Sequence, residues 1–369
     1  MQIPVRGRII ARNIFSNWEF QTMTSKERVM TAFEHCEPDR VPAWCGSSPE
    51  FWEKAKQTTG LQDEELRVRM GDDFRRVSAT CTEPVIPLSP GSTSRTIFGV
   101  ERDGVGYGQP LSHPLSKATI KEVHAYPWPD PSCMDVSHIR LEAERFQGKY
   151  AVLGGDWSPF FHDAVDLLGM ELLFLKMYDE PELVAAVFKH IVDYYAGVSQ
   201  RIFDAAASTL DIFFIGNDFG TQHGPAMSPS LFRRFIFPHL ERLARLGHAY
   251  RLKVMLHCCG GYSPLIPQMI EAGLDGLHAI QPACKGMDLA TLKRSFGDKI
   301  LFNGAIDSHH VLIRGTPQFV REETRKVLDI MKTGGGYVAG ASHDYILEET
   351  PVENVLAMFD AIAEFGRYN

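Results

Sequence analysis

Short apolar runs alternate along the chain with longer stretches in which apolar residues recur every three or four positions. The short runs are rich in β-branched and aromatic residues and predict strands at 41–44, 74–79, 151–154, 211–215, 252–256, 276–280, 300–302 and 337–340. The longer stretches, among them 181–204, 228–245, 262–272 and 317–332, predict amphipathic helices. Eight strands in a βα rhythm predict an α/β fold in which one TIM (β/α)8 barrel spans residues 23–369.

Two segments depart from this rhythm. Residues 1–22 show no clear period, whereas Thr24 or Ser25 followed by Glu27 has the pattern of a helix N-cap with a capping box. We therefore interpret 1–22 as an N-terminal leader, and such an arm could reach a partner subunit of a homodimer. The stretch 82–131 is rich in Pro and Gly and contains a hairpin-like run at 96–105, which predicts a lid-like insertion on the βα side of the barrel.

Composition narrows the classes of protein. The 369 residues are 44% hydrophobic and 23% charged, as in globular proteins. The net charge of -8 argues against nucleic-acid binding, because a protein that neutralises phosphates needs a basic face. No apolar run reaches membrane-spanning length, and the start has no signal-type apolar core. Seven cysteines, an odd number, indicate reduced thiols. We expect a cytoplasmic protein with no membrane contact.

One motif joins metal-binding side chains to a strand end. His257 and Cys259 lie two positions apart, where the apolar run 252–256 ends in glycines. In extended backbone the side chains at i and i+2 point the same way, so these two can converge on one ion while Cys258 points away. Imidazole and thiolate together suit zinc, which needs at least one more protein ligand. The alternative is that the cysteines only pack in the core, since cysteine is among the most buried residue types.

Polar side chains follow six of the predicted strands. Active sites of TIM barrels lie at the C-terminal ends of the strands, so these positions are candidates for chemistry. Each one alone is better explained as a helix N-cap or a loop residue, but six polar strand ends together favour an active site. The candidates are Asp156, Trp157, Asn217, Asp218, Gln222, His257, Cys259, Gln281, Asn303, Asp307, Ser342, His343 and Asp344.

Several spaced motifs resemble a known family. The chain from Met23 to the C-terminus resembles the uroporphyrinogen decarboxylase superfamily, and more closely its branch of cobalamin-linked methyltransferases. The motifs that carry the resemblance are Met-Thr-Ser-Lys-Glu-Arg-Val at 23–29, Glu-Pro-Asp-Arg-Val-Pro at 37–42, Asp-Phe-Gly-Thr-Gln at 218–222, Ser-Pro at 228–229, His-Cys-Cys-Gly at 257–260, Gly-Gly-Gly-Tyr at 334–337, Ser-His at 342–343 and Thr-Pro-Val-Glu-Asn at 350–354.

One difference separates this chain from the decarboxylases of the superfamily. Those enzymes carry an Arg-Gln-Ala-Gly-Arg segment that binds the carboxylates of the substrate, whereas the matching residues 41–49 here contain no arginine. An octa-anionic porphyrinogen would have little cationic recognition at this position, which disfavours tetrapyrrole decarboxylation.

The resemblance to the methyltransferases implies a zinc site. His257 and Cys259 match their His-x-Cys ligand pair, and the third ligand, a C-terminal cysteine in that branch, falls here on His343 or Asp344. We expect methyl transfer between a small methylated substrate or thiol and a corrinoid (methylcobalamin) protein. Catalytic roles are expected for Asp218, His343 and Asp156, and substrate contacts for Asp73, Trp157, Gln222, Gln281 and Asn303.

Two alternatives remain open on the sequence alone. The first is a metal-free lyase of the decarboxylase type that acts on a smaller carboxylic acid. Asp73 or Asp218 would then stabilise a protonated intermediate, and His343 would serve as the acid. The second is a corrinoid- or tetrapyrrole-binding module without turnover.

Overall fold

The chain divides into two compact units of α/β structure. The computed structural model describes residues 23–82, 88–104 and 108–368, so the predicted leader at 1–22 lies outside the described residues. The first unit combines the N-terminal segment through Phe74 with residues 289–369, and the second spans 75–288.

The helices and strands of the described residues are as follows. The helices are α1 Ser25–Phe33, α2 Pro49–Thr59, α3 Asp63–Met70, α4 Ile120–Ala125, α5 Ile139–Glu144, α6 Phe160–Leu168, α7 Met170–Asp179, α8 Pro181–Ala206, α9 Pro229–Phe235, α10 Phe237–Ala249, α11 Ile266–Glu271, α12 Leu289–Phe296, α13 Pro317–Met331 and α14 Val352–Phe365. The strands are β1 Phe74–Arg76, β2 Thr80–Cys81, β3 Ser94–Arg95, β4 Glu101–Asp103, β5 Gln109–Pro110, β6 Met134–Asp135, β7 Ala151–Gly154, β8 Ile212–Gly216, β9 Gly220–Thr221, β10 Gly224–Pro225, β11 Lys253–His257, β12 Gly276–Ile280, β13 Leu301–Ile306 and β14 Tyr337–Ala341.

The second unit is built on a parallel sheet. Its strand order is β1-β7-β8-β11-β12, and β7 with β8, β8 with β11 and β11 with β12 pair in parallel. All residues of β7, β8 and β12 are buried, as expected of strands covered on both faces. The predicted strands 151–154 and 276–280 have the observed bounds, and those at 211–215 and 252–256 are each one residue early.

The predicted start of the first helix is confirmed, whereas one predicted helix is divided into two. Thr24 is the N-cap of α1, and it forms a capping box with Glu27. The predicted helix 228–245 is two helices, α9 and α10, with Pro238 in the first turn of the second. A proline inside a helix removes a backbone donor, so the chain starts a new helix there instead of continuing the old one.

The first unit contains the parallel pair β13 and β14, in which Phe302 is opposite Tyr337. The predicted strand 41–44 is not a strand, although Ala43 forms single parallel bridges to Asp72 and Ala339. Pro42 has no N–H to donate, and the Ala43 N–H donates to the Asp73 carboxylate at 2.8 Å instead of to a neighbouring strand. The side chain of Asp73 thus interrupts the ladder.

A buried ion cluster explains the position of Asp73. Its carboxylate accepts from Arg28 Nη1 at 2.8 Å, from Arg40 Nη1 at 2.8 Å and from Arg40 Nη2 at 3.0 Å. Arg28 also donates to Asp39 at 2.6 and 2.8 Å. Asp73 is fully buried within this cluster, which favours a structural role in the first unit, and its predicted substrate contact stays a prediction.

The predicted insertion, in its described parts, contains a small antiparallel sheet and helix α4 within the second unit. Strands β3, β4 and β5 form the sheet, and a turn at 96–100 joins β3 to β4, as the hairpin-like pattern predicts. Phe98 packs edge-on against Tyr194 and Tyr195 of α8 at 5.5 and 5.7 Å, and Arg102 forms an ion pair with Asp166 of α6. The insertion therefore docks on two helices of its own unit, while its predicted role as a lid stays a prediction.

The α/β class and the parallel strands that alternate with helices are confirmed. Closure of eight strands into a barrel stays a prediction, since the first of the eight forms only single bridges. Among the described helices, none combines the length and the apolar character that a membrane crossing needs.

Candidate metal centre

His257 and Cys259 come together at the end of β11. His257 Nε2 lies 3.4 Å from Cys259 Sγ, and the His257 side chain is 7% exposed. Cys258 faces the core, where it is fully buried and its sulfur accepts from the Phe219 N–H at 3.3 Å. Burial raises the pKa of the Cys258 thiol well above its usual value. The chain thus presents one of the two adjacent thiols to His257 and keeps the other neutral in the core.

Two glycines let the turn after Cys259 approach a neighbouring loop. Gly260 has φ of +87°, a conformation that favours glycine, and a Cβ there would lie 2.4 Å from the Gly220 carbonyl carbon. The Gly260 N–H donates to Gln281 Oε1 at 2.7 Å. The amide oxygen of Gln281 thus holds the turn that carries Cys259, and its predicted substrate contact stays a prediction.

Asp218 adds a carboxylate to the pair. It follows β8, and its Oδ1 accepts from the Cys259 N–H at 2.7 Å and lies 3.5 Å from His257 Nε2. The ligand atoms of Asp218, His257 and Cys259 all lie within 4.8 Å of one another. Zinc bonds of about 2.0 to 2.3 Å in tetrahedral geometry place nitrogen about 3.6 Å from sulfur and about 3.4 Å from oxygen. The observed spacings of 3.4 and 3.5 Å fit those values.

His162, near the start of α6, contacts the second oxygen of Asp218. Its Nε2 lies 3.3 Å from Asp218 Oδ2. Burial opposes ionisation of Asp218, but the hydrogen bond from His162 and the charge of His257 outweigh it, so the pKa of Asp218 is lowered. Burial lowers the pKa of His162, but the same hydrogen bond together with the charges of Asp218, Asp163 and Asp166 outweighs it, so the pKa of His162 is raised. Sequence reasoning missed His162 because it lies on a helix and not at a strand end.

His278 supports His257 from the neighbouring strand. The two are register partners in the β11–β12 pair, and their Nδ1 atoms lie 3.1 Å apart. One of these nitrogens must donate and the other accept. If His257 Nδ1 donates, its Nε2 carries no proton and can bind a metal ion, which is the arrangement that metal-binding histidines use. The sequence did not predict this contact, because the predicted strands 252–256 and 276–280 do not give the register that places His257 opposite His278.

Two aromatic rings lie beside His257 and His278. The Trp157 ring lies 5.4 Å from the His257 ring and 5.0 Å from Phe214, whose ring lies 5.4 Å from His278. A Cβ on Gly216 would lie 2.0 Å from Trp157 Cζ2, so glycine is required for the indole to occupy this position. Trp157 is therefore fixed beside the histidine that the metal hypothesis needs.

The other predicted residues of the second unit have the following contacts and burial. Asp156 accepts from the Ser158 N–H at 3.1 Å, and burial raises its pKa. Asn217 is buried and bonds the backbone of residues 158 and 161, which is a structural role. Gln222 is exposed between β9 and β10.

The remaining predicted residues belong to the first unit. Asn303 is buried in β13, and Asp307 is the N-cap of a short π-helix. Ser342 Oγ accepts from the Ser308 N–H at 3.0 Å. His343 Nδ1 lies 3.0 Å from the Tyr345 carbonyl oxygen, and Asp344 is buried. The assignment of His343 or Asp344 as a third zinc ligand stays a prediction.

Comparison with known proteins decides the family. The sequence model described as "Uroporphyrinogen decarboxylase (URO-D)" matches residues 104–365, most of the chain. The chain belongs to the uroporphyrinogen decarboxylase family. The family resemblance that the motifs indicate is thereby confirmed.

The relatives within this family carry two different names. Uroporphyrinogen decarboxylase of Methylococcus capsulatus is 24% identical over 271 residues, which is 71% of this chain and 73% of that protein. Methylcobamide:CoM methyltransferase MtbA of Methanosarcina acetivorans is 20% identical over 234 residues, or 62% of each chain. A solved methyltransferase from Methanosarcina mazei superposes with a TM-score of 0.66 and 20% identity, covering 93% of this chain and 99% of its own. That likeness shows a shared fold.

Proposed function

We propose that the protein is a zinc-dependent methyltransferase that moves a methyl group between a small methylated substrate or thiol and a corrinoid protein. The observation that carries the proposal is the cluster of Asp218, His257 and Cys259, with all ligand atoms within 4.8 Å. An imidazole nitrogen, a thiolate and a carboxylate form a donor set that suits zinc. Three protein ligands leave one coordination position for substrate.

His257 Nε2 and Cys259 Sγ would hold the metal. Asp218 Oδ1 is the nearest carboxylate oxygen within the same unit, so it joins His343 and Asp344 as a candidate third ligand. When bound, zinc lowers the pKa of a thiol in the open position or polarises the oxygen or nitrogen that carries a methyl group.

The other residues of the cluster keep these ligands in place. His278 fixes the protonation of the His257 ring through the Nδ1–Nδ1 contact of 3.1 Å. The Cys259 amide and His162 hold the two oxygens of Asp218 at 2.7 and 3.3 Å, which fixes the orientation of its carboxylate. The indole of Trp157 lies 5.4 Å from the His257 ring, whose side chain is 7% exposed.

Two comparisons are consistent with the methyl-transfer proposal. One relative is named a methylcobamide:CoM methyltransferase, and one of the similar solved structures is that of a methyltransferase. A corrinoid protein would bring the methyl carrier to the open position. We expect the reaction in the cytoplasm, where small thiols remain reduced.

The test is methyl transfer from methylcobalamin to a panel of thiols, and from methyl ethers and methylamines to reduced cobalamin, with zinc-loaded protein. We expect turnover with at least one substrate, loss of turnover after chelation, and loss in Cys259→Ala. Cys258→Ala is the matched control and should retain turnover, because its sulfur faces the core. Zinc-loaded protein without transfer to any substrate would instead favour a binding module.

A second candidate is metal-free decarboxylation of a small acid. It is favoured by the lowered pKa of Asp218, since an ionised carboxylate in a partly buried site can stabilise a cationic protonated intermediate. Several relatives are named uroporphyrinogen decarboxylase. Incubation of metal-free protein with a panel of small carboxylic acids, and with uroporphyrinogen, distinguishes the candidates. We expect no conversion, and rapid conversion that Asp218→Asn abolishes would establish the decarboxylase.

A further inference from the structure

Arg76 is an exposed arginine beside the candidate metal centre. It is the last residue of β1, and its Cζ lies 5.2 Å from the centre of the Trp157 ring and 5.5 Å from that of Phe214. The preceding residue, Arg75, is buried, with its Cζ 3.7 Å from the Tyr150 ring. Successive strand residues point to opposite faces, so the alternation directs Arg76 alone toward the aromatic pair.

The aromatic pair connects Arg76 to the histidines. Trp157 contacts His257 and Phe214 contacts His278, each with 5.4 Å between ring centres. The guanidinium therefore lies one ring away from the imidazole that would hold the metal. Because Arg76 Cζ lies 5.2 Å from the Trp157 ring centre and that centre lies 5.4 Å from the His257 ring centre, the guanidinium carbon is no farther from the imidazole centre than the sum of these two distances.

The donors of Arg76 face no carboxylate at bonding distance. Across the part of the chain that the structure describes, its contacts are the two aromatic rings and a longer-range attraction to Asp156, with no ion pair within 4.0 Å. Asp156 directs one carboxylate oxygen to the Ser158 N–H at 3.1 Å. A guanidinium stacked on an indole keeps its in-plane N–H groups available, and their fork matches a carboxylate.

We propose that Arg76 binds the carboxylate of a small acidic substrate and holds it against Trp157, beside His257 and Cys259. The carboxylate part of this inference needs only Arg76 and Trp157. The statement that the same molecule carries a thiol rests on the proposed function. A chain with a net charge of -8 would otherwise repel such an anion, so a local cation is needed to recruit it.

The experiment compares two isosteric thiols, 3-mercaptopropionate and its neutral amide, 3-mercaptopropionamide. Their binding to zinc-loaded protein is measured by calorimetry. We expect the wild type to prefer the acid, and Arg76→Gln to weaken binding of the acid by about tenfold to a hundredfold while binding of the amide changes less than twofold. Arg76→Lys keeps the charge without the fork and should fall between the two.

Arg145→Gln is the matched control, because Arg145 is also exposed and lies 5.6 Å from a ring, that of Phe146, away from the cluster. It should bind both thiols as the wild type does. Circular dichroism shows whether each variant is folded. Equal affinity of the wild type for the acid and the amide, or an acid preference that survives in Arg76→Gln, would overturn the proposal.

A third probe, propionate, separates this inference from the proposed function, because it has a carboxylate and no thiol. It is titrated into metal-free protein. Arg76-dependent binding of propionate supports the inference even if the protein binds no zinc and transfers no methyl group. Zinc binding and methyl transfer with propionate binding unchanged in Arg76→Gln would refute the inference and leave the proposed function intact.

Discussion

Replacement of Asp73 by Asn distinguishes a structural role for this residue from the substrate contact that the sequence predicts. The carboxylate of Asp73 accepts three hydrogen bonds from Arg28 and Arg40 and a fourth from the Ala43 N–H at 2.8 Å. The amide keeps the shape but removes the negative charge, and its NH2 group faces donors. Two buried guanidinium groups then lose a shared counter-ion.

The expected cost is large because the cluster is buried. Removal of one partner from a buried ion pair costs about 3–5 kcal/mol, and Asp39, which is 15% exposed, continues to neutralise Arg28. We therefore expect Asp73→Asn to lower the free energy of unfolding by about 3 kcal/mol or more. Asp39→Asn is the control at the edge of the same cluster and should cost less, about 1–2 kcal/mol.

Urea unfolding followed by circular dichroism measures both changes, and calorimetry measures zinc binding by the fraction that remains folded. We expect folded Asp73→Asn to bind zinc as the wild type does. A stability loss below about 1 kcal/mol combined with loss of substrate binding would refute the structural role.

Two further changes test the second unit. Burial raises the pKa of Asp163 to about 7, so the native state holds a proton that the unfolded state releases, and stability falls as pH rises from about 4 to about 7. Asp163→Asn still accepts from Tyr195 and should remove about 2 to 3 kcal/mol of this pH dependence between pH 5 and pH 8, because the pKa of about 7 lies two units above pH 5. Urea unfolding at these two pH values checks this, and unchanged pH dependence contradicts it. Gly216→Ala should displace Trp157, cost about 1–3 kcal/mol and change the indole fluorescence; a variant with wild-type stability and emission would show that the indole is not held by that contact.

The pattern of apolar residues predicts most of the parallel strands because buried strands in this fold are continuous apolar runs. Strands β7 and β12 have their predicted bounds. The run 41–44 is also continuously apolar, yet it forms only single bridges, because the Ala43 N–H donates to the Asp73 side chain and not to a neighbouring strand. No local sequence pattern predicts that a carboxylate 30 residues away accepts the backbone hydrogen bond that a neighbouring strand would otherwise accept.

Part of the candidate site could also be predicted from the sequence. The two-residue spacing of His257 and Cys259 predicts their convergence, and the structure brings their ligand atoms to 3.4 Å. The contact of His162 with Asp218 was not predictable, because it depends on how α6 packs beside the loop after β8. Arg76 was not predicted as a site residue, because the sequence Phe-Arg-Arg at 74–76 does not show which of the two arginines is exposed.

Metal analysis of the purified protein tests the central claim most directly. Zinc is measured by mass spectrometry in wild type, Cys259→Ala and Cys258→Ala after equilibration with zinc and removal of excess metal. The account predicts stoichiometric zinc in the wild type and in Cys258→Ala and its loss in Cys259→Ala, since only Cys259 faces His257. Absence of zinc from the wild type, or equal loss in both variants, would contradict it.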